Sequence, residues 1–204
     1  MDFIFGTFAT DELKVVHHRT ARRGVQHQYK LSPRDPLPGQ PVTVHVCLGT
    51  DLSADSVACY YTLDGTRPDG ARGVAANGQV LRLEPAGITW DAVAWGYVSH
   101  WRGVLPAQPD GTVVRYRIGA WTDGGPEVFA DWPNVQDTAE LAAAAYFRGD
   151  PLPQTPPGDP SRGQVFSYHV DQLRPPDWAR EAVIYQVFVD RFYPGDGRSW
   201  LEPA

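Results

Sequence analysis

From Pro41 the chain reads with a period of two. In PVTVHVCL, Val42, Val44, Val46 and Leu48 point one way, and Thr43, His45 and Cys47 the other, as expected of a strand with one buried face. SVACYYTL follows, then DGTRPDG at 64–70, whose Asp-Gly pairs suit tight reversals. QVLRLEP sets Leu81 and Leu83 against Val80, Arg82 and Glu84. The clearest alternation is GTVVRYRIGAW: Val114, Tyr116, Ile118 and Ala120 face inward, and Val113, Arg115, Arg117 and Trp121 outward. EVFADW at 127–132 and QVFSYHV at 164–170 read as further strands. Strands at this spacing without intervening helices predict an antiparallel β-sandwich of immunoglobulin-like type.

Other segments break the alternation. Residues 10–24 (TDELKVVHHRTARRG) carry helix signals at both ends: Thr10 as cap, Asp11 and Glu12 in the first turn, then Arg22 and Arg23 before Gly24. Residues 137–147 (DTAELAAAAYF) predict a short helix with Asp137 and Glu140 at capping-box spacing. Residues 88–106 hold Trp90, Trp95, Tyr97 and Trp101 without clean periodicity and read as a long aromatic loop. Residues 149–163 form a proline-rich connector, stiff and extended.

The last change comes at 182–189, AVIYQVFV, where only Gln186 interrupts an apolar run. Lost alternation marks a strand covered on both faces, as in a parallel sheet. A (β/α)8 barrel takes about 250 residues, and too few follow this strand to supply one. The expected organisation is a sandwich over 1–172 and the beginning of a truncated barrel over 173–204.

Trp178 followed by AVIYQVFVDRF and a glycine-containing loop resembles the first barrel strand of the alpha-amylase family, glycoside hydrolase family thirteen. The likeness points to its neopullulanase, cyclomaltodextrinase and maltogenic-amylase branches, which carry a β-sandwich ahead of that strand. It implies a chain that serves α-glucan cleavage or transfer without performing it. The resemblance puts the two catalytic carboxylates of a retaining glycosidase on later barrel strands, whose motifs do not occur in this sequence. Asp190, at the end of its strand, reads as a fold-fixing partner of Arg191 rather than a catalyst. The loop that would ligate calcium in relatives reads YPGDGRSW and keeps only Asp196 as a hard oxygen donor. Calcium takes about six to eight oxygens, so neither metal nor cofactor is expected. The implied partners are an α-glucan or maltooligosaccharide, the absent barrel and, as a subunit contact, a second copy.

Composition narrows the alternatives. Net charge is −6, which opposes the phosphate neutralisation that nucleic-acid binding requires. No apolar run is long enough to span a bilayer. The N-terminus lacks the basic and apolar regions of a secretory signal, so the cytoplasm is expected. Cys47 and Cys59 lie on strands expected to be neighbours and could pair if the register brought them together; two reduced thiols are the preferred reading.

The aromatic residues remain as candidate binding groups. An exposed Trp can stack on the C–H face of a sugar while polar neighbours bond its hydroxyls. Trp121 with Arg115 and Arg117 on the outer face, and Trp95 with Trp101 in the aromatic loop, are the candidates. The competing reading buries these rings in the core or against the barrel, and for the aromatic loop that interface reading is preferred. The alternatives at the level of the whole chain are a free-standing carbohydrate-binding module and an immunoglobulin-like interaction domain.

Overall fold

The computed structural model describes residues 22–92, 94–131, 145, 147–150, 163–173 and 176–183. The strands are β1 (Val25–Gln26), β2 (Leu31–Ser32), β3 (Val42–Leu48), β4 (Ser56–Thr62), β5 (Asp69–Ala71) and β6 (Val74–Asn77). They continue as β7 (Gln79–Asp91), β8 (Gly96–Leu105), β9 (Thr112–Trp121), β10 (Val128–Phe129) and β11 (Phe166–Val170). Every pairing between these strands is antiparallel. The mainly β antiparallel sandwich expected from the alternation is what forms.

One layer runs from β1 and β2 through β3 and β8 to β7, and the other from β7 through β4 and β9 to β10 and β11. β7 belongs to both. Its first half, Gln79 to Leu83, pairs with β4, and its second half, Glu84 to Asp91, pairs with β8. The register shifts between Pro85 and Gly87. Such a bulge sharpens the local bend and lets one strand turn the corner between two layers. The result is a sandwich closed like a barrel along one side.

On the opposite side, side chains close the seam. His27, just after β1, is buried at 1% exposure. Its Nδ1–H donates to the His45 carbonyl at 2.8 Å, and its Nε2 accepts from the Tyr116 hydroxyl at 2.7 Å. A carbonyl can only accept, which fixes the tautomer. Phe166 of β11 and Tyr116 of β9 both pack against the ring. Burial, partly offset by the bond to His45, lowers the pKa of His27 to about 4.

The inward residues of the alternation form the main core: Val42, Val44, Val46, Leu48, Val114, Tyr116, Ile118 and Ala120. β4 shows no alternation, because Val57, Cys59 and Tyr61 enter this core while Ala58 and Tyr60 enter a second cluster on the other face. Lost alternation therefore arises here in an antiparallel strand covered on both sides.

Several expectations are corrected. Residues 88–106 are not a loop; they form most of the β7–β8 hairpin. In 127–132 only Val128 and Phe129 are strand among the described residues. β3 and β4, which carry Cys47 and Cys59, are not neighbours: β3 pairs with β8, and β4 with β7 and β9. Both cysteines are free, and burial raises the pKa of each thiol.

The chain divides into two compact units, 1–172 and 173–204. The described part of the second contains one short helix, α1 (Asp177–Glu181), which follows Pro176 and carries Trp178. Proline suits the start of a helix because its missing N–H would have no partner there. The expected helices at 10–24 and 137–147 and the proline-rich connector fall almost wholly outside the described residues. Of the apolar run 182–189, only Ala182 and Val183 lie within them, so the expected barrel strand, with Asp190 and Asp196 after it, is outside the description.

Candidate functional site

The β7–β8 hairpin reaches past the sandwich. β3 supports β8 only from Leu105 back to Ser99, where Leu48 is the last partner. Beyond Ser99 the hairpin continues as two strands alone, pairing Ile88 with Ser99, Thr89 with Val98, Trp90 with Tyr97 and Asp91 with Gly96. Strand alternation puts Ile88, Trp90, Tyr97 and Ser99 in the same row as Trp101 and Leu105. Lower down, that row is core: Trp101 is 8% exposed and Leu105 1%. At the tip, the core beneath it has ended. Ile88 is 70% exposed, Trp90 48%, Trp95 72% and Tyr97 70%.

The rings pack on each other without being covered. Trp90 sits 5.5 Å from Trp95 and 5.1 Å from Tyr97, centroid to centroid, with interplanar angles of 73° and 75°. Edge-to-face contacts of this kind favour a fixed arrangement. The turn is held in place. Asp91 accepts from the Ala94 amide at 2.8 Å and pairs with Arg22 at 2.6 Å. A β-carbon at Gly96 would come within 2.6 Å of the Thr50 side chain. Thr89 and His100 are joined across the strands at 2.7 Å.

Trp95 itself adopts φ +54°. A bulky L-residue is disfavoured there, and Gly or Asn would fit at lower cost. The chain thus holds a large, exposed ring in a conformation that its own backbone opposes.

The other expected sugar contacts lie elsewhere and differently. Trp121 is on the outer face of β9, as the alternation requires, yet it is only 6% exposed and packs with Ala58, Tyr60 and Phe129. Arg117 on the same face is equally buried, with its guanidinium 4.0 Å over the Phe129 ring and 3.4 Å from Asp69. Burial lowers its pKa, partly countered by Asp69 and Glu127. The expectation of an open platform at Trp121 and Arg117 is therefore corrected: β10 and the β5–β6 flap cover that face. Tyr60 donates to Glu127 at 2.8 Å and accepts from the Gly73 amide at 2.7 Å, while the Arg72 amide donates to Glu127 at 2.6 Å. Arg115 alone of the three is exposed. Trp101 is core, and its Nε1–H donates to Ser99 at 3.3 Å.

The sequence shows Trp90 and Tyr97 but does not assign them a face, because the bulge at Pro85 to Gly87 shifts the phase of β7. Two open clefts of about 360 Å³ each also occur: one between β2 and β11, lined by Tyr29, Arg34, Asp35, His169 and Asp171, the other between the end of β4 and the β6–β7 corner, lined by Tyr61, Thr62, Asp64, Asn77 and Gln79. Among the described residues no group of three His, Cys, Asp or Glu side chains is placed to hold a metal. None of their helices is long and apolar enough to cross a membrane.

No family model matches the sequence. Among solved structures, the chain is similar to a cycloalternan-forming enzyme from Listeria monocytogenes in complex with a pentasaccharide substrate, at 19% identity and a TM-score of 0.38. That match covers 53% of this chain and 10% of the enzyme. A cycloalternan-degrading enzyme from Trueperella pyogenes is similar at 20% identity and a TM-score of 0.33, over 54% of this chain and 13% of the enzyme. These neighbours are carbohydrate-active enzymes.

Proposed function

We infer that this chain is the non-catalytic front part of an alpha-amylase-family glycoside hydrolase acting on α-glucans, and that it contributes to the substrate cleft, glucan binding or subunit contact. The observation that carries this reading is the order of two features. A β-sandwich comes first, and Trp178 with AVIYQVFVDRF, which resembles the family's first barrel strand, comes directly behind it in the sequence. The carboxylate pair that a retaining glycosidase requires belongs to strands that the family places later, so hydrolysis is assigned to the longer protein.

The test is a pair of assays on pullulan, cyclodextrin and starch. The 204-residue chain should release no reducing sugar, while a longer product read through beyond Ala204 should cleave α-glucosidic bonds with retention. Turnover by the shorter chain, or a downstream frame without carboxylate-bearing strand ends, overturns the reading.

A further inference from the structure

We propose that the tip of the β7–β8 hairpin is a glucan-binding site, in which Trp90, Trp95 and Tyr97 stack on successive glucose rings of a linear α-glucan. This rests on the functional reading above for the linkage class; the site itself rests on geometry.

Three observations select a sugar. First, the rings are exposed, mutually braced and turned to one side, since Val98 on the opposite face of the tip is buried. They serve no core among the described residues, and Trp95 is held at a left-handed φ that costs the backbone. Second, among the described residues the Trp90 and Trp95 indole N–H groups and the Tyr97 hydroxyl make no hydrogen bond, whereas the buried Trp101 N–H does. Ring faces bordered by unused polar atoms match a pyranose, which has an apolar C–H face and a rim of hydroxyls.

Third, size and charge disfavour the other occupants that aromatic rings attract. An aromatic side chain buries roughly 150–250 Å², so at these exposures the three rings and Ile88 offer on the order of 500 Å². A stable protein interface takes about 800 Å² per partner. Nucleic-acid bases also stack on such rings, but they bring phosphates. Among the described residues the tip pairs Asp91 with Arg22 at 2.6 Å, in a chain of net charge −6. A neutral oligosaccharide meets no such penalty.

Calorimetric titration of the 204-residue chain with maltoheptaose, and with cellohexaose as a differently linked control, tests the proposal. Maltoheptaose should bind saturably. Trp95→Asn, which suits the left-handed turn, and Tyr97→Ala should each weaken binding by about tenfold or more, with unchanged circular dichroism and melting cooperativity. Trp121→Phe should leave the affinity as it was. Binding that survives both tip substitutions overturns the site while leaving the α-glucan reading intact. Equal affinity for cellohexaose overturns the linkage class. No heat with either sugar overturns the proposal outright, and the family reading is then decided separately by the activity of the longer protein.

Discussion

Two tryptophan-bearing surfaces of this sandwich have opposite fates. The outer face of β9 carries Trp121, and the tip of the β7–β8 hairpin carries Trp90 and Trp95. On β9 the ring points away from the main core but is roofed by Tyr60, Phe129 and the β5–β6 flap. At the hairpin tip the rings continue the core-facing row and yet stand in the open, because β3 stops at Leu48. Outward does not mean exposed, and inward does not mean buried. Alternation specifies the side of a strand; the length of its neighbours and the presence of a second covering layer decide what that side meets.

The largest effect expected from this contrast is on stability. Trp121→Ala should cost roughly 3–5 kcal/mol in urea unfolding, the usual range for truncating a buried aromatic ring. Trp90→Ala should cost much less, since its ring is half open to solvent. Equal losses would erase the distinction between the two surfaces.

The buried seam should also respond to acid. His27 is held neutral in the fold with a pKa of about 4, against 6.5 when unfolded. Between those values the unfolded chain binds the extra proton, so stability falls as pH drops from 6.5 to about 4 and levels off below. The total is on the order of 3.5 kcal/mol, at about 1.4 kcal/mol per unit of pKa difference. Urea midpoints measured across that range should fall, and His27→Leu should flatten this part of the slope. The hairpin variants should keep the wild-type slope.

Removing the roof rather than the ring gives a smaller change. Tyr60→Phe loses the bonds to Glu127 and Gly73 and should cost about 1–2 kcal/mol. It should also increase iodide quenching of Trp121. Quenching that stays constant would mean that the flap is not what shields the ring. The smallest effect is expected at the turn: Trp95→Asn should be neutral or stabilising by up to about 1 kcal/mol, as relief of a left-handed bulky residue predicts. A marked loss of stability there would assign Trp95 to the fold.

How much of this is legible in the sequence follows from the same physics. β3 and β9 are readable because one face of each meets the main core and the other does not, as Val42 to Leu48 and Val114 to Ala120 show. β4 gives no period because Tyr60 and Tyr61 are both buried, on opposite faces. The aromatic hairpin reads as a loop because Gly87 and the bulge beside it break the phase of β7 between Leu83 and Ile88. The cover over Trp121 is not foreseeable from the alternation, since it depends on a tertiary bond between Tyr60 and Glu127, 67 positions apart. The two-residue strands β1, β2 and β10 are too short to show a period.

The most direct measurement is residue-resolved. Fluorotryptophan labelling of the seven tryptophans, assigned by substitution, allows each indole to be followed by fluorine NMR during a maltoheptaose titration. The Trp90 and Trp95 resonances should shift saturably while those of Trp101 and Trp121 stay in place. Movement of Trp121 with Trp95 unchanged would contradict the account.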